Sequence, residues 1–349
     1  MPIEWTDATW NPTRGCRRIS PGCVNCYAEK VAARFCGPGL PYEGLVKLGR
    51  WNGEGRFAAD KLTDPLHWRK PKRVFVDSMS DLFYEEFSDE QIAAVFGVMA
   101  ACPQHTFQVL TKRPARARRW FEWVAGAART CNAGRGMGVA AFCLAHAQRY
   151  STDRALSLNV TETCARPWPL PNVWIGASVE NQEYADKRIP ELLRISAAVR
   201  FVSYEPALGP VSLGQWLDWP WWCERCQMVP AQNAETHLHC HDEGAVVRRS
   251  LDWLIVGGES GTGARPFDIA WARSAVAQCK AAGVPVFVKQ MGANPVGLRD
   301  DVCDACSWGL VVPRKQHGLD CPGGPVLHDP KGGDMAEWPA DLRVREFPR

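Results

Sequence analysis

Seven short apolar stretches recur along the chain, and each of them gives way to polar residues. Such continuous runs predict strands that are buried on both faces, as in a parallel sheet, rather than half-exposed strands with alternating side chains. The segments that contain them are TWNPTRGC from Thr9, RVFVDSMSD from Arg73, TFQVLTKRP from Thr106, NVWIGASVEN from Asn172, RFVSYEP from Arg200, DWLIVGGESG from Asp252 and VPVFVKQMG from Val284.

Segments with helical spacing separate these predicted strands. SDEQIAAVFGVMAAC places Ser88 at an N-cap position and Gln91 at the matching capping-box position. NQEYADKRIPELLRI and FDIAWARSAVAQCKAAG carry apolar residues three and four positions apart, and the second ends at a glycine. The alternation predicts an α/β fold of six or seven βα units, built as a complete or partial parallel (β/α) TIM-like barrel in a single domain over residues 1–349.

Polar residues cluster where the predicted strands end. In a parallel barrel the carboxyl ends of the strands form the active-site face, so these side chains are expected on one surface. Capping of the following helices is the alternative role for any one of them. The residues concerned are Asp77, Ser78, Asp81, Thr111, Lys112, Arg113, Ser178, Glu180, Asn181, Ser203, Glu205, Glu259, Ser260, Lys289 and Gln290.

Three stretches, residues 124–168, 219–250 and 298–328, interrupt the pattern and are predicted to be loop insertions into the barrel. Each holds three cysteines and at least one histidine in a segment with little core of its own, so a zinc ion would supply the missing folding energy. The predicted ligands are Cys131, Cys143, His146 and Cys164 in the first stretch, Cys223, Cys226, Cys240 and His239 (or His237 or His241) in the second, and Cys303, Cys306, His317 and Cys321 in the third.

The second and third sets contain a C-x2-C pair, which is the usual spacing of a zinc knuckle, whereas the first set lacks one. Two alternatives stay open for all three sets. They are auxiliary iron–sulfur clusters and reduced cysteines that simply pack in a core.

Composition is that of an ordinary globular protein, with 46% hydrophobic residues, 23% charged residues and a net charge of +3. No apolar run approaches the roughly 18 residues of a membrane span, and the amino terminus lacks the pattern of a signal peptide. We therefore expect no membrane association and a cytoplasmic protein with reduced thiols, in which 15 cysteines indicate metal binding rather than disulfides. The charge is too small to indicate nucleic-acid binding by itself.

Three further cysteines, Cys16, Cys23 and Cys26, follow the first predicted strand with the spacing C-x6-C-x2-C and lead into a helix-forming segment, YAEKVAARF. Three thiolates from one loop can hold three irons of a cubane [4Fe–4S] cluster and leave the fourth iron without a protein ligand. A zinc site with three protein ligands is the alternative.

This arrangement resembles the radical S-adenosylmethionine superfamily, whose usual spacing is C-x3-C-x2-C on the loop after the first barrel strand. A more specific similarity covers nearly the whole chain apart from the three insertions, and it is to the phage-associated three-cysteine-motif family, a radical-SAM-like group. Spore photoproduct lyase is more distantly similar. The motifs that carry the resemblance are, in order, GC…S.GC.NCYAE, DSMSDLF, LTKRP, GASVEN, SYEP and GGESG.GARP.

The resemblance implies that S-adenosylmethionine binds the open iron, and that an external one-electron reductant triggers its cleavage to methionine and a 5′-deoxyadenosyl radical. It implies cofactor contacts from Asp77, Ser78, Ser178, Gly257, Gly258, Glu259 and Arg265. It also implies substrate contacts or proton transfer from Lys112, Glu180 and Glu205. For Arg265 an ion pair within the protein is the alternative.

The phage association that the resemblance implies favours DNA or a modified nucleotide as substrate, most concretely a hypermodified pyrimidine, in the cytoplasm of an infected bacterial host. The basic segment TKRPARARRW and the 16 tryptophans offer phosphate contacts and base stacking, with a solvated helix face and ordinary packing as alternatives. Two rival functions stay open. One is radical chemistry on a peptide or small molecule, and the other is a non-catalytic, zinc-rich protein that binds nucleic acid.

Overall fold

The computed structural model describes residues 3–131, 138–158, 160–217, 222–223, 246–247, 250–297 and 327–348, with backbone alone at 131, 222–223 and 246–247. The chain forms two compact units, and its organisation as a single domain stays a prediction. The first comprises Met1–Glu180 and Asp186–Val199, and the second comprises Asn181–Ala185 and Arg200–Arg349.

The first unit is a mixture of strands and helices. Its strands are β1 (Ala8–Trp10), β2 (Thr13–Arg14), β3 (Val46–Lys47), β4 (Arg50–Trp51), β5 (Arg56–Phe57), β6 (Arg73–Val76), β7 (Thr106–Thr111) and β8 (Val173–Val179). Its helices are α1 (Tyr27–Ala32), α2 (Asp89–Ala101), α3 (Pro114–Cys131), α4 (Val139–Tyr150), α5 (Arg154–Leu158), α6 (Val160–Cys164) and most of α7 (Gln182–Leu193). Short 3-10 helices span Pro21–Cys23, Ala59–Lys61 and Asp64–His67.

Four strands of this unit pair in parallel in the order β1-β6-β7-β8. The register places Val109 of β7 between Val76 of β6 and Ile175 of β8, and all three side chains are fully buried. Because the strands are parallel and in register, their carboxyl ends meet at one edge of the sheet. Lys112 and Glu180 directly follow β7 and β8 at that edge.

Helix α2 begins with the predicted capping box. The Ser88 hydroxyl accepts a hydrogen bond from the Gln91 backbone N–H at 3.2 Å, and the Gln91 side chain accepts one from the Ser88 N–H at 3.0 Å. In the same helix Gly97 faces the backbone of Cys143 in α4, and a Cβ at position 97 would lie well inside contact distance of the Cys143 carbonyl oxygen. The missing side chain therefore lets α4 approach α2 closely.

Residues 124–168 are largely helical, which differs from the loop insertion that we expected. Helix α3 continues to Cys131, and α4, α5 and α6 follow, with residues 132–137 and 159 outside the described part of the chain. Ala140, Leu144 and Ala147 lie three and four positions apart in α4 and are buried. Our prediction relied on the cysteine and glycine content of this stretch and overlooked that its apolar residues recur with a helical period.

The second unit has its own parallel strands. Its strands are β9 (Val199–Tyr204, with Val199 in the first unit), β10 (Trp222–Cys223), β11 (Val246–Val247), β12 (Trp253–Gly257), β13 (Phe267–Asp268), β14 (Val286–Gln290) and β15 (Pro295–Val296). Its helices are α8 (Gly214–Leu217) and α9 (Ile269–Ala282), with 3-10 helices at Met335–Glu337 and Ala340–Leu342. Strand β12 pairs in parallel with β9 and β14, with Ile255 between Ser203 and Phe287.

All seven predicted strands are confirmed, and within each unit they are parallel, as β1-β6-β7-β8 and as β9-β12-β14. The predicted helices α1, α2, α7 and α9 are confirmed too, and α9 ends at Gly283 with φ of 66°. These βα elements are the ones that a complete or partial barrel requires, and the barrel itself stays a prediction. None of the described helices combines the length and apolarity needed to cross a membrane.

Candidate functional site

Residues 15–26, called the cysteine loop from here on, connect β2 to α1 and contain Cys16, Cys23 and Cys26. Gly15 opens the loop with φ of 89° and forms a parallel bridge with Ser80, whose hydroxyl donates to the Gly15 carbonyl at 2.7 Å. A Cβ at position 15 would collide with the backbone carbonyl of Glu54. Only glycine meets both conditions, so the loop starts from a fixed point beside the segment that follows β6.

The buried guanidinium of Arg113 holds one side of the cysteine loop. Its Nη2 donates to the Arg17 carbonyl at 3.0 Å, and its Nη1 lies 3.8 Å from the Cys16 sulfur. The same Nη1 donates to Asp81 at 3.1 Å, and Nε donates to Glu85 at 2.9 Å. Arg113 is only 6% exposed, so these acceptors compensate a charge that has little access to water.

Asp81 connects this arginine to the end of β7. Its Oδ1 accepts a hydrogen bond from the Thr111 hydroxyl at 2.7 Å, and its Oδ2 accepts one from the Lys112 backbone N–H at 2.9 Å. The carboxylate thus fixes the strand end that carries Lys112 and Arg113. The side chains predicted to meet at the ends of β6 and β7 do meet, through Asp81.

Glu180, at the end of β8, holds the other side of the loop and is fully buried. Its carboxylate accepts a hydrogen bond from the Ser20 hydroxyl at 2.7 Å and from Arg188 at 3.0 Å, and Lys112 Nζ lies 3.7 Å away. Gly22 lies so close that any side chain there would overlap the Glu180 carboxylate. A buried carboxylate needs such partners, and here two cations and the loop itself provide them.

The three cysteines of the loop lie in partly buried surroundings. All three cysteines are free and partly exposed. Burial and the charge of Asp81 raise the pKa of Cys16 to about 12, against the opposing effect of Arg113, and burial also raises the pKa of Cys26. The charge of Cys23 adds a smaller contribution to the raised pKa of both neighbours. Within the described chain no three His, Cys, Asp or Glu side chains converge on a single metal ion.

The first of the predicted cofactor contacts, Asp77 and Ser78, follow β6 and contact the segment that precedes the cysteine loop. Asp77 is buried, with φ of 58°, and its Oδ1 accepts a hydrogen bond from the Thr13 N–H at 3.1 Å. Its Oδ2 has no partner among the described residues, and burial raises the pKa of this carboxyl. The Ser78 hydroxyl donates to the Asn11 side chain at 3.1 Å. Ser178 is buried, and its carbonyl accepts a hydrogen bond from Arg188.

The second unit holds the remaining predicted site residues. Lys289 Nζ and Glu205 form an ion pair at 2.6 Å. Arg265 donates to both carboxylate oxygens of Glu259, with Nη2 at 2.8 Å from Oε1 and Nε at 3.2 Å from Oε2. The internal ion pair that we considered for Arg265 is therefore present.

Gly257 and Gly258 allow backbones to pack closely at the end of β12. The Gly258 N–H donates to the Gln290 carbonyl at 3.1 Å. A Cβ on Gly258 would lie 2.6 Å from the Met291 carbonyl oxygen, and one on Gly257 would lie 3.2 Å from that of Gln290. This close packing gives both glycines a structural reason that does not depend on a cofactor.

The predicted zinc ligands are described only in part. Cys143 and His146 are buried in α4, where the His146 ring packs on Phe142 and burial lowers the pKa of the imidazole, while Cys164 is exposed at the end of α6. Cys131 and Cys223 are described by their backbone alone. The ligands that lie outside the described residues are Cys226, His237, His239, Cys240, His241, Cys303, Cys306, His317 and Cys321.

Most of the arginines in the basic segment TKRPARARRW form ion pairs with carboxylates of the same chain. Arg113 is buried as described, Arg116 pairs with Asp89, and Arg118 pairs with Glu122 and Glu191. The ring of Trp120 is fully buried and donates to the Asp89 carbonyl at 3.0 Å. This segment is therefore mainly a packed, ion-paired helix face rather than an open phosphate-binding surface.

Two groups that anchor the loop were missed as candidates from the sequence, namely Ser20 and Arg188. Ser20 could have been found from the sequence SPGC that ends at Cys23, since a serine and a glycine close to a proline are typical of a tight, hydrogen-bonded turn. Arg188 gave none, because its partner Glu180 precedes it by eight positions and only the fold brings the two together.

The comparisons with known proteins give a family but no activity. A family model described as "Protein of unknown function (DUF5131)" matches residues 1–307, which includes the cysteine loop and both clusters of strands. The search of curated proteins found no match. The search of solved structures found none either. Since the family model covers well over half of the sequence, this chain belongs to the DUF5131 family.

Proposed function

We propose that this protein is a radical S-adenosylmethionine enzyme whose cysteine loop binds a [4Fe–4S] cluster through Cys16, Cys23 and Cys26. The observation that carries the proposal is the construction of this loop. Three free, partly exposed cysteines lie on one short segment, and buried Arg113 and buried Glu180 fix that segment at two points. A loop with no ligand to hold would not need two desolvated charges to position it.

The donor set fits an iron–sulfur cluster better than it fits a single ion. Thiolate sulfur is the usual ligand of such clusters, and a cubane spreads its three cysteines more widely than one zinc ion does. Cys16, Cys23 and Cys26 supply three free thiols from one short segment, which is the number that a cubane with one open iron needs. Each thiol would lose its proton on binding, and the Arg113 guanidinium lies within reach of the Cys16 sulfur to stabilise the resulting charge.

A cluster held by Cys16, Cys23 and Cys26 would supply the one-electron reductive cleavage of S-adenosylmethionine to methionine and a 5′-deoxyadenosyl radical, with an external reductant providing the electron and the substrate providing a hydrogen atom. The residues of the chain position and shield this chemistry. Glu180, with three partners and no exposure, orients the loop. Lys112 is partly exposed beside Glu180 and is our candidate for a substrate contact.

The other predicted contacts divide by their surroundings. Asp77 and Ser178 are buried, so we assign them to the support of the site, whereas Ser78 stays a candidate for the cofactor. In the second unit the Glu259–Arg265 pair offers a carboxylate and a guanidinium that suit a ribose and a carboxylate, beside Gly257 and Gly258, and Glu205 offers a proton-transfer group.

We propose DNA, and most concretely a modified pyrimidine base, as the substrate. The support for this part is the resemblance to a phage-associated family. The second and third cysteine-rich stretches are proposed zinc sites, each with a C-x2-C pair.

The test is formation of 5′-deoxyadenosine. Protein reconstituted without oxygen is incubated with S-adenosylmethionine, dithionite and DNA, and the nucleosides are analysed by mass spectrometry. We expect 5′-deoxyadenosine from the wild-type protein and none from Cys16→Ala, Cys23→Ala or Cys26→Ala. Cys36→Ala is the matched control, because Cys36 is also free and partly exposed but lies outside the loop, and it should keep the activity. Product from any loop variant would refute the assignment.

A further inference from the structure

The hairpin formed by β3 and β4 carries an unusual tip. Leu48 and Gly49 connect the two strands, and both have positive φ, at 51° and 74°. Leu48 is 94% exposed, which makes it the most exposed large hydrophobic side chain in the described part of the chain. The tip therefore presents one leucine to solvent on a tight turn.

Three of the four residues at this tip, Lys47, Leu48 and Arg50, are poor choices for stability. Turns with two positive φ values favour Asn-Gly or Asp-Gly, and a leucine there is uncommon. An exposed leucine also gains nothing from burial. Lys47 and Arg50 stand directly opposite each other across the two strands, although like charges at such positions repel. Local choices that oppose the fold without visible compensation are typical of functional sites.

The base of the hairpin is firmly attached beside the cysteine loop. Val46 and Trp51 pack against a cluster of Ala28, Ala32 and Met79, which Cys26 also contacts. The Trp51 N–H donates to the Glu29 side chain at 2.9 Å, and this carboxylate also pairs with Arg18 of the loop. The tip is thus an exposed projection on a rigid base that adjoins Cys26.

Exposed cations lie on the hairpin and on the chain segments that precede and follow it. In contrast to the paired arginines of α3, these cations have no carboxylate within ion-pair distance among the described residues. They are Arg17, Lys30, Arg34, Lys47, Arg50 and Arg56. Their unpaired charge complements a phosphate backbone.

We infer that the hairpin tip is a DNA wedge, in which Leu48 enters the base stack of duplex DNA while Lys47 and Arg50 contact the flanking phosphates. Proteins that unstack DNA insert single apolar side chains, leucine among them, between base steps, and enzymes that modify a base must first bring it out of the duplex. A single leucine contributes only about 1.5–3 kcal/mol on full burial, which is too little to hold a protein on a membrane. The inference rests on the DNA substrate of the proposed function.

The test uses the full-length protein without S-adenosylmethionine or reductant, so it does not depend on the cluster chemistry. The probe is a DNA duplex that contains 2-aminopurine, whose fluorescence rises when the base unstacks, and affinity is measured by anisotropy over a range of salt concentrations. The wild-type protein should bind and raise the fluorescence. Leu48→Asn gives the turn its preferred Asn-Gly pair, so it should fold at least as stably while losing most of the fluorescence rise.

The double variant Lys47→Ala/Arg50→Ala should lower the salt dependence of binding. Each lost phosphate contact reduces the slope of log affinity against log salt by about 0.9, so between about 50 and 200 mM salt the wild-type protein should lose about tenfold more affinity than the double variant. Arg69→Ala/Lys70→Ala is the matched control, since these exposed cations precede β6 at the opposite end of that strand from the cysteine loop. The control should keep the wild-type slope.

Several results would overturn the wedge. They are absence of duplex binding, an unchanged fluorescence rise with Leu48→Asn, or an equal loss of slope in the control. A fourth arm uses phosphatidylserine vesicles, and vesicle binding that Leu48→Asn abolishes would assign the tip to a membrane surface instead. A failed wedge combined with 5′-deoxyadenosine formation would leave the proposed chemistry intact, and the reverse result would refute only the chemistry.

Discussion

The cysteines of the loop and the cysteines of the packed core differ in their exposure and in the groups that surround each sulfur. Cys16, Cys23 and Cys26 are partly exposed on an irregular segment that polar anchors hold in place. Cys102 and Cys143, by contrast, are fully buried, the first at the end of α2 and the second within α4. Burial alone raises the pKa of both buried thiols, to about 12 for Cys102.

This difference shows that cysteine number is a weaker guide to metal binding than the surroundings of each sulfur. The buried ion pair of Arg113 and Asp81 lies beside the loop cysteines. Cys143, by contrast, packs inside α4 as a small apolar side chain. Our zinc prediction for residues 124–168 included Cys143 because of its residue type, without regard to whether its sulfur is buried or exposed. The C-x2-C pairs of the other two stretches are not affected by this comparison.

Thiol labelling should give the largest contrast between the two groups. In metal-free folded protein we expect iodoacetamide to modify Cys23 on the order of a thousand times faster than Cys102, Cys143 or Cys279, since buried thiols react only after an opening that costs several kcal/mol. Because the pKa of Cys16 is about 12, its labelling should keep accelerating as the pH rises through the alkaline range. Peptide mass spectrometry measures both, and equal rates for loop and core thiols would remove the distinction.

Removal of the Glu180 carboxylate should be the most damaging change to the loop anchors. Glu180→Ala removes a fully buried carboxylate that Arg188 and Lys112 pair with, so the free energy of unfolding should fall by about 3–5 kcal/mol. Urea denaturation measures this loss. Glu122→Ala is the control, because Glu122 forms an exposed pair with Arg118 and its loss should cost no more than about 1 kcal/mol. Equal losses would mean that Glu180 is no special anchor.

The close packing of α2 against α4, which surrounds the buried Cys143, can be tested at Gly97. Gly97→Ala places a methyl group against the Cys143 backbone, so we expect a loss of about 1–3 kcal/mol in unfolding free energy despite the better helix propensity of alanine. Gly126→Ala in α3 is the matched control, since no atom lies near its Cβ position, and it should stabilise the protein by up to about 1 kcal/mol. Thermal unfolding distinguishes the two signs, and a stabilised Gly97→Ala would contradict the close packing of α2 and α4.

The last expected effect is the pH dependence of the unfolding free energy that the buried Asp77 carboxyl contributes. Burial raises the pKa of this carboxyl above its usual 3.8, so the folded protein retains the proton where the unfolded chain has lost it. The folded state then binds more protons, and the unfolding free energy falls as pH rises from about 3.8 through the folded pKa. Asp77→Asn should flatten this decline in denaturation curves taken at several pH values. Asp7→Asn, at a carboxyl whose pKa the Arg73 hydrogen bond lowers, should not.

The strands and the principal helices were predictable because each depends on local pattern. Continuous apolar runs such as RVFV gave β6, and Ser88 with Gln91 gave the start of α2. The polar groups after β6 and β7 were predicted together, and Asp81 does join Thr111 and Arg113. These features need only a period of side chains and the rule that parallel strands end at one edge.

The anchors and the hairpin tip were less accessible because they depend on contacts between distant positions. Ser20 reaches Glu180 across 160 positions, and no local pattern announces such a pair. From the sequence, Gly97 only lowers the helix propensity of α2, and its role in packing becomes visible once α4 lies against it. The exposure of Leu48 likewise follows from the turn between β3 and β4, which two-residue strands are too short to predict.

The most direct test of the central claim is the metal and sulfide content of the cysteine loop. Protein purified and reconstituted without oxygen should contain about four irons and about four acid-labile sulfides per chain, in addition to any zinc in the cysteine-rich stretches. Cys16→Ala should lose this iron and sulfide, while Cys36→Ala should keep both. One zinc bound through Cys16, Cys23 and Cys26 with no sulfide, or unchanged iron in Cys16→Ala, would contradict the account.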